Sequence, residues 1–420
     1  MSSTDIRALA QAARAASRAL ASATGDQKHA ALEAMAVGLL GGGEPILAAN
    51  QEDVAAARAA GQAAAFLDRL TLTPSRLAAM ARGLRQIAEL PDPVGEVTGM
   101  WRRPNGLQVG RMRVPLGVIG FIYESRPNVT ADAAGLCLKS GNAVILRGGA
   151  EALRSNLATA EVLARAVASA GLPAAALTVV PTPDRAKVKE LLALHGLIDL
   201  IIPRGGEEFI QMVRETSQIP VIAHDKGLCH TYVDAGADLG MAAAIALNAK
   251  VERPGVCNAM ETLLVHTEVA PALLPALVAQ LAQAGVEVRG CPETRGLVPS
   301  IRPATEADWD TEYLDLTLSV RVVPSFEEAL AHIARHGSGL AEAIVTADHG
   351  RAMRFLREVD AGAVFVNAST RFTDGFEFGM GAEMGISTQK LHARGPMGLR
   401  ELTCEKFIVL GDGHVRHSQK

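Results

Sequence analysis

The sequence predicts an α/β protein in which two series of alternating strands and helices each build a parallel sheet. Residues 3–90 are helical by pattern, the alternation begins at Pro115, and it resumes after Cys257. Strands that alternate with helices through short connections lie parallel, with right-handed crossovers. A polar hairpin is predicted between the helical region and the first series.

Composition indicates a globular protein without a nucleic-acid or membrane partner. Of the 420 residues 49% are apolar and 20% are charged, and the formal net charge is −4. That charge gives no long-range attraction to nucleic acid or acidic lipid. No apolar run approaches the ~18–20 residues of a membrane span. Met1–Ala23 loosely resembles a transit peptide, but Asp5 and the Ala/Leu periodicity favour a surface helix.

The cysteines predict a reducing compartment. There are five of them, an odd number, and no C-x-x-C pair is present. This pattern argues against a disulfide framework and against a structural zinc site, so no metal is expected. We therefore expect a cytoplasmic protein.

Two local patterns predict how the helical region ends. Thr73 before Pro74 predicts a capped helix that begins at Pro74 and runs to Leu90. Asn105-Gly106 then lies between extended runs, which predicts a hairpin over residues 101–114. Its basic positions suit either a nucleic-acid contact or a subunit-pairing ribbon, and the negative net charge favours the ribbon.

The first α/β series places three polar segments at the carboxyl ends of strands. The predicted strands are 117–123, 142–146, 177–180 and 198–202, and the predicted helices are 128–140, 153–170, 185–194 and 207–215. The strand ends are Glu124–Asn128, Arg147–Gly149 and Pro203–Gly206, and ligands of parallel sheets bind at such ends. The G-x-G-x-x-G fingerprint is absent, and Glu207 with Glu208 would repel a phosphate at the last helix.

Cys257 opens the second series. Pro254-Gly255 is a turn dipeptide, and Thr262–His266 suits a buried strand. A cysteine at a turn beside a sheet is either a thiolate nucleophile or a small buried hydrophobe, and this segment alone leaves both open. The further predicted strands are 286–289, 321–323, 343–346, 363–367 and 406–410, and the further predicted helices are 272–284, 326–336 and 350–357.

Several motifs make the chain similar to the aldehyde dehydrogenase superfamily. They are Asp68–Leu70, Pro91–Gly95, Pro115–Thr130, Leu138–Asn142, Ile202–Gly206, Val251–Thr262 and Val366–Arg371. The resemblance implies two Rossmann-like α/β domains with a small β oligomerisation element, assembled as a homo-oligomer, either dimer or tetramer. It implies an NADP-binding domain over 1–100 and 115–228, a catalytic domain over 229–370, and oligomerisation segments at 101–114 and 395–420.

The resemblance also implies the reacting groups. Cys257 matches the nucleophile, and Asn128 matches the amide that forms an oxyanion hole with the Cys257 backbone N–H. Asn128 has the alternative role of a turn residue after Pro127. Acid-forming relatives use a glutamate to activate water, whereas His224 stands at that position here, or Asp225 if the alignment slips by one. Without a glutamate base, the acyl partner implied is phosphate rather than hydroxide.

Cofactor and substrate residues are implied in the same way. Arg147 stands where many relatives have a lysine near the adenosine ribose. Glu312 matches the glutamate on the nicotinamide ribose, with a solvated loop carboxylate as the alternative. The implied NADP(H)-binding residues are Arg147, Gly148, Gly149, Pro203, Arg204, Gly205, Gly206 and Glu312. The implied substrate-binding residues are Glu124, Arg126, Arg253 and Arg371, and each arginine has the alternative role of a structural ion-pair partner.

The activity implied is NADPH-dependent reduction of gamma-glutamyl phosphate to glutamate 5-semialdehyde, the second step of proline biosynthesis. Two alternatives remain on the same fold: a hydrolytic semialdehyde dehydrogenase and a non-catalytic binding protein. A separate glutamate 5-kinase is implied as the metabolic partner.

Overall fold

The computed structural model describes residues 5–124, 126–224 and 226–416. These residues form two compact units. Unit 1 contains the described residues of 1–222, 380–384 and 397–420, and unit 2 contains those of 223–379 and 385–396. Unit 1 is therefore assembled from three stretches of chain.

Helices and strands alternate through most of the described chain. The α-helices are α1 (Ile6–Leu20), α2 (Gly25–Gly41), α3 (Gly43–Ala59), α4 (Ala64–Leu70), α5 (Pro74–Glu89), α6 (Val129–Lys139), α7 (Leu153–Ser169), α8 (Ala186–Leu192), α9 (Glu207–Thr216), α10 (Leu239–Val251), α11 (Ala270–Gln283), α12 (Pro292–Leu297), α13 (Phe326–His336) and α14 (His349–Glu358).

The strands are mostly short and buried. They are β1 (Val97–Arg102), β2 (Gln108–Pro115), β3 (Val118–Ile122), β4 (Ala143–Arg147), β5 (Leu177–Val179), β6 (Leu200–Pro203), β7 (Cys229–Val233), β8 (Met260–His266), β9 (Glu287–Gly290), β10 (Arg302–Pro303), β11 (Thr317–Val323), β12 (Ala341–Val345), β13 (Ala363–Val366), β14 (Ile386–Ser387), β15 (Gly395–Pro396) and β16 (Thr403–Leu410).

The helical region of unit 1 has polar caps. Hydrogen bonds from backbone N–H groups in the first turns of α1, α2 and α5 are accepted by the side chains of Asp5, Thr24 and Thr73, respectively. Pro74 occupies the first turn of α5. Proline has no backbone N–H, and this costs nothing there because N–H groups in the first turn have no acceptor within the helix. α2 packs against both α5 and α7. The predicted Thr73 cap and the helical pattern of residues 3–90 are thus confirmed for the described residues.

A four-stranded parallel sheet lies at the centre of unit 1, in the order β5-β4-β3-β6. Ile122 of β3 is in register with Arg147 of β4 and with Pro203 of β6. Because parallel strands end at one edge, the segments that follow these three residues are neighbours. The predicted parallel arrangement is confirmed.

A three-stranded antiparallel sheet also belongs to unit 1, in the order β1-β2-β16. Gly106 turns the β1–β2 hairpin at φ +92°, a conformation that glycine adopts without steric cost. The rings of Trp101 and Phe407 meet edge to face, with centroids 6.4 Å apart. The predicted hairpin is confirmed, although β1 begins earlier, at Val97.

Unit 2 is built on a seven-stranded parallel sheet in the order β10-β9-β11-β8-β7-β12-β13. Leu263 and Leu264 of β8 enter two apolar clusters, the first with α10 and α11 and the second with α13 and α14. β7, α10 and α12 were not predicted from the sequence. The β7 sequence mixes His230 and Thr231 with apolar residues, and both polar side chains are buried.

The described residues contain neither a single membrane-spanning helix nor a metal-binding cluster. In the described ranges, no single helix is long and apolar enough to cross a membrane, and only the bent pair α2–α3 passes that test by length and composition. Buried core helices pass the same test. No group of three or more His, Cys, Asp or Glu side chains in these ranges could hold a metal ion.

Candidate active site

Cys257 lies in the turn between α10 and β8, at the amino end of the unit 2 sheet. The turn over Pro254-Gly255 and the buried strand after it are confirmed. Cys257 is half-buried and packs against the apolar cluster that contains Cys229. Burial raises the pKa of Cys229 well above its usual value, so this residue stays a thiol. Its S–H donates to the Cys257 carbonyl oxygen at 3.3 Å.

Side-chain hydrogen bonds hold the residue that follows Cys257. The Asn258 amide donates to the Thr373 carbonyl at 2.9 Å, and the Thr370 hydroxyl donates to the Asn258 carbonyl at 2.8 Å. The Arg371 guanidinium donates to the Asn258 side-chain oxygen. Because these groups are buried or half-buried, the bonds fix the backbone that carries Cys257.

Gly227 packs directly against the Cys257 backbone. A Cβ atom at Gly227 would lie 2.1 Å from the Cys257 carbonyl oxygen and 2.5 Å from its Cα. The Gly227 N–H donates to Glu312 Oε1 at 2.9 Å. Glu312 is half-buried. Gly227 contacts both Glu312 and the Cys257 backbone, so this one residue links Glu312 to Cys257 within unit 2.

The two arginines predicted to bind substrate from unit 2 differ in their surroundings. Arg371 Nε lies 2.6 Å from Glu252 Oε2, and the Arg371 side chain is mostly buried. Arg253 is exposed. Arg371 also lines a cavity of about 300 Å³, together with Asn248, Glu252, Phe372, Asp374 and Glu377. The ion pair was one of the two alternatives that the sequence left open for Arg371.

In unit 1, Arg147 ends β4 beside the ends of β3 and β6. Its guanidinium donates to the carbonyls of Gly148 and Pro183, both at 3.0 Å. Its Nε is buried and lacks a hydrogen-bond partner among the described residues. Burial lowers the pKa of Arg147, and burial with the nearby Glu151 raises the pKa of Glu124. This edge thus carries a half-buried cation.

Three of the four glycines at this edge let the backbone lie close to neighbouring side chains. A Cβ at Gly148 would lie 2.0 Å from the Asn156 amide nitrogen, and one at Gly149 would meet the Glu151 carboxylate at 2.1 Å. A Cβ at Gly205 would come within 2.9 Å of Phe209, whereas Gly206 faces open space. Backbone without side chains beside a half-buried cation fits the sugar and phosphate groups of a dinucleotide.

Asn128 precedes α6 and does not cap it. Its amide nitrogen instead donates to Asp132 Oδ2 at 3.2 Å. Burial raises the pKa of Asp132 to about 6, opposed by this hydrogen bond. Asn128 and Asp132 stand four residues apart, the spacing that puts two side chains on one helix face. That spacing was available in the sequence, but Asp132 was not identified as a site residue.

A pocket of about 170 Å³ surrounds this pair within unit 1. Its lining residues are Phe121, Arg126, Asn128, Val129, Asp132, Ala133, Arg204, Glu383 and Met384. Arg204, predicted to bind the cofactor, thus shares a pocket with Arg126, predicted to bind the substrate. Glu383 was not predicted as a site residue. It lies in the short stretch 380–384, which belongs to unit 1 although it is far along the chain.

The residues at the position of the hydrolytic base are only partly described. His224 is half-buried in unit 2. Asp225, which the shifted alignment would place there, lies outside the described residues, as does Ser125 of the Glu124–Asn128 segment.

Comparison with known proteins identifies the fold family. The model of the aldehyde dehydrogenase family matches residues 1–302 and 316–406. A gamma-glutamyl phosphate reductase of Moorella thermoacetica is 57% identical over 412 residues, which cover 98% of this chain and 99% of that protein. The enzyme of the same name from Meiothermus ruber is 56% identical over 416 residues, covering 99% and 100%.

Solved structures agree with the sequence relatives. The crystal structure of a gamma-glutamyl phosphate reductase from Thermotoga maritima has a TM-score of 0.97 and 47% identity, covering 98% of this chain and 99% of that one. An acetylating aldehyde dehydrogenase from Geobacillus thermoglucosidasius, at 18% identity and a TM-score of 0.69, shares the fold over 99% of this chain and 97% of its own. The chain is an oxidoreductase, and it belongs to the aldehyde dehydrogenase family.

Proposed function

We propose that this enzyme reduces gamma-glutamyl phosphate to glutamate 5-semialdehyde and phosphate, with NADPH as the reductant, in proline biosynthesis. The observation that carries the proposal is the full-length match, at 54–57% identity, to relatives that bear the name gamma-glutamyl phosphate reductase. The half-buried Cys257 on its anchored turn supplies a nucleophile for this chemistry.

The reaction begins with attack of the Cys257 thiolate on the acyl carbon. The carbon–oxygen bond to phosphate breaks, phosphate leaves with the electron pair, and a thioester remains on Cys257. The Asn128 amide and the Cys257 backbone N–H stabilise the oxyanion, at roughly 3–4 kcal/mol for each donor. A bound nicotinamide dinucleotide supplies the hydride. Cys257 then leaves as a thiolate and frees the aldehyde.

NADP(H) is the dinucleotide that the β4 edge favours. Arg147 is the last residue of β4, close to where NAD-binding proteins of related topology carry an acidic residue for the ribose 2′-hydroxyl. A cation suits the additional 2′-phosphate of NADP. Gly148, Gly149, Pro203, Gly205 and Gly206 would supply backbone beside it. Glu312 would hold the nicotinamide ribose.

Substrate anions need fixed cations, and arginine suits phosphate and carboxylate through its bidentate geometry. We assign this role to Arg126 and Arg253, with Glu124 beside the site. Arg371 would act in the same role through the donors that remain, because its Nε already bonds Glu252 and its Nη1 bonds Asn258.

Three wider features belong to the proposal. Phosphate, and not water, resolves the thioester in the reverse direction, because His224 replaces the hydrolytic glutamate. The five cysteines are all free thiols, which supports a cytoplasmic location. A homo-oligomer and a functional association with glutamate 5-kinase complete the proposal, the first supported by the exposed apolar residues of the β1-β2-β16 sheet.

The reverse reaction tests this function. Glutamate 5-semialdehyde and NADP are supplied with and without inorganic phosphate, and NADPH formation is followed in wild type and in Cys257→Ala. Cys404→Ala, which removes a half-buried thiol in β16, is the matched control. We expect phosphate-dependent turnover that only Cys257→Ala abolishes. Equal turnover without phosphate would support the hydrolytic alternative, and no turnover would support the non-catalytic one.

A further inference from the structure

The pocket around Asn128 contains more charge than the proposed chemistry uses. Arg126 and Arg204 bring two cations, and Asp132 and Glu383 bring two carboxyl groups. The arginines suit anionic parts of the substrate. The two carboxyl groups would oppose a ligand that carried only a phosphate and a carboxylate.

We propose that this pocket binds the amino-acid head of the substrate, with Asp132 and Glu383 accepting hydrogen bonds from its α-ammonium group. Arg126 and Arg204 then pair with the α-carboxylate. The inference rests on the proposed function, because gamma-glutamyl phosphate carries both head groups. It assigns a subsite that selects an α-amino acid over the same chain without nitrogen.

Charge balance supports this assignment. A zwitterionic head presents one cation and one anion about two bonds apart, so a pocket that recognises it needs groups of both signs close together. Charged hydrogen bonds of this kind are roughly twice as strong as neutral ones. An anionic ligand alone would gain most from a pocket with arginines and no carboxylates.

The environment of Asp132 also fits a cation-binding role. Its carboxyl group is poorly hydrated, so burial raises its pKa to about 6. Asn128 contacts one carboxylate oxygen, Oδ2, at 3.2 Å. An ammonium group beside the other oxygen would replace the lost hydration and favour the ionised form. Binding at Asp132 would also set the substrate close to Asn128, the proposed oxyanion donor.

Asp132 has a competing role, in which it only orients the Asn128 amide. The two roles differ in one measurable property. An orienting residue changes the rate for every aldehyde equally, whereas an ammonium-binding residue changes the preference between aldehydes. The preference therefore separates the roles whatever happens to the absolute rate.

The test compares two aldehydes that differ only in the α-ammonium group, glutamate 5-semialdehyde and 5-oxopentanoate. The ratio of their kcat/KM values is measured in the phosphate-dependent reverse reaction for wild type, Asp132→Asn and Glu383→Gln. Glu161→Gln, which removes an exposed carboxylate of α7, is the control. The fraction of each substrate that is present as open-chain aldehyde is the same for every variant. It therefore cancels when the kcat/KM ratios are compared between variants.

We expect wild type and Glu161→Gln to prefer glutamate 5-semialdehyde by tenfold or more. Asp132→Asn and Glu383→Gln should each reduce that preference at least fivefold, so either variant serves if the other fails to fold. An unchanged preference in both, or a wild-type preference near one, would overturn the inference and leave the proposed function intact. Phosphate-independent turnover, or none, in the wild type would refute the proposed function and this inference with it.

Discussion

Replacing Gly227 by alanine is expected to displace the Cys257 turn and to slow catalysis by about two orders of magnitude. The added Cβ would lie 2.1 Å from the Cys257 carbonyl oxygen, and Cβ atoms essentially never approach another atom within 3.0 Å. The two backbones must therefore separate by about 0.9 Å, the difference between 3.0 Å and 2.1 Å. A misplacement near 1 Å costs roughly 10²-fold in rate, or about 2.7 kcal/mol of barrier.

Two measurements check this expectation. One is kcat for phosphate-dependent NADP reduction, and the other is the rate at which iodoacetamide labels Cys257, followed by peptide mass spectrometry. Gly296→Ala in α12 is the matched control, because no atom beyond its chain neighbours and its own helix backbone lies within 4 Å of the added Cβ. A folded Gly227→Ala enzyme with kcat within threefold of wild type would refute the steric argument.

Four further changes have defined outcomes. Asn128→Ala is expected to lower kcat by about 10²–10³-fold, because an oxyanion donor acts in the transition state. Arg147→Glu is expected to reverse the ratio of kcat/KM for NADP over NAD, because a carboxylate would face the 2′-phosphate. Lys250→Met is expected to lower the free energy of unfolding in urea by ~3–5 kcal/mol, because Lys250 Nζ lies 2.6 Å from Glu261 Oε2 in a fully buried pair. Burial, with the neighbouring His230, lowers the pKa of His332 to about 2. The unfolded chain binds that proton near pH 6.5, so this residue should remove about 1.4 kcal/mol of stability between pH 7.5 and pH 5.5.

Each of these four predictions would be contradicted by a specific result. Unchanged kcat in Asn128→Ala would leave that residue as a turn residue, and an unchanged cofactor ratio in Arg147→Glu would remove Arg147 from the cofactor site. Lys250→Met/Glu261→Leu should recover most of the lost stability; if it does not, packing and not the stranded charge is responsible. His332→Gln should be less sensitive than wild type to that pH change, since stability from a neutral histidine is complete only above pH 6.5.

The sequence predicted the fold well where pattern and burial agree. Parallel strands such as β3 are continuous apolar runs bounded by turns, and the Thr73–Pro74 cap is local chemistry. β7 was missed because its His230 looks like a loop residue until Glu342, 112 residues away, is known to accept its backbone N–H. α10 was missed because Leu239–Val251 is apolar on nearly every side and has no helical stripe.

The candidate site was less accessible to the sequence than the fold. Ligand sites of parallel sheets are expected at carboxyl ends, but Cys257 precedes β8 and lies at the amino end of its sheet. Only the turn chemistry and the resemblance pointed to it. No sequence pattern around Glu383 marked it as a site residue. It belongs to unit 1 only because the chain returns there at residues 380–384, after unit 2 residues 223–379. Asp132 did have such a pattern, in its four-residue spacing from Asn128.

The pairing of β2 with β16 has a consequence for synthesis on the ribosome. β2 is the middle strand of its sheet, and all of unit 2 is translated before β16 emerges. At ~5–20 residues per second, β2 waits roughly 15–60 s with one row of backbone donors and acceptors unpaired. Such an edge recruits other strands, so nascent chains should be most vulnerable to aggregation in that interval. The basic residues Arg111 and Arg113 on β2 would then act as gatekeepers that discourage strand addition until the last segment arrives.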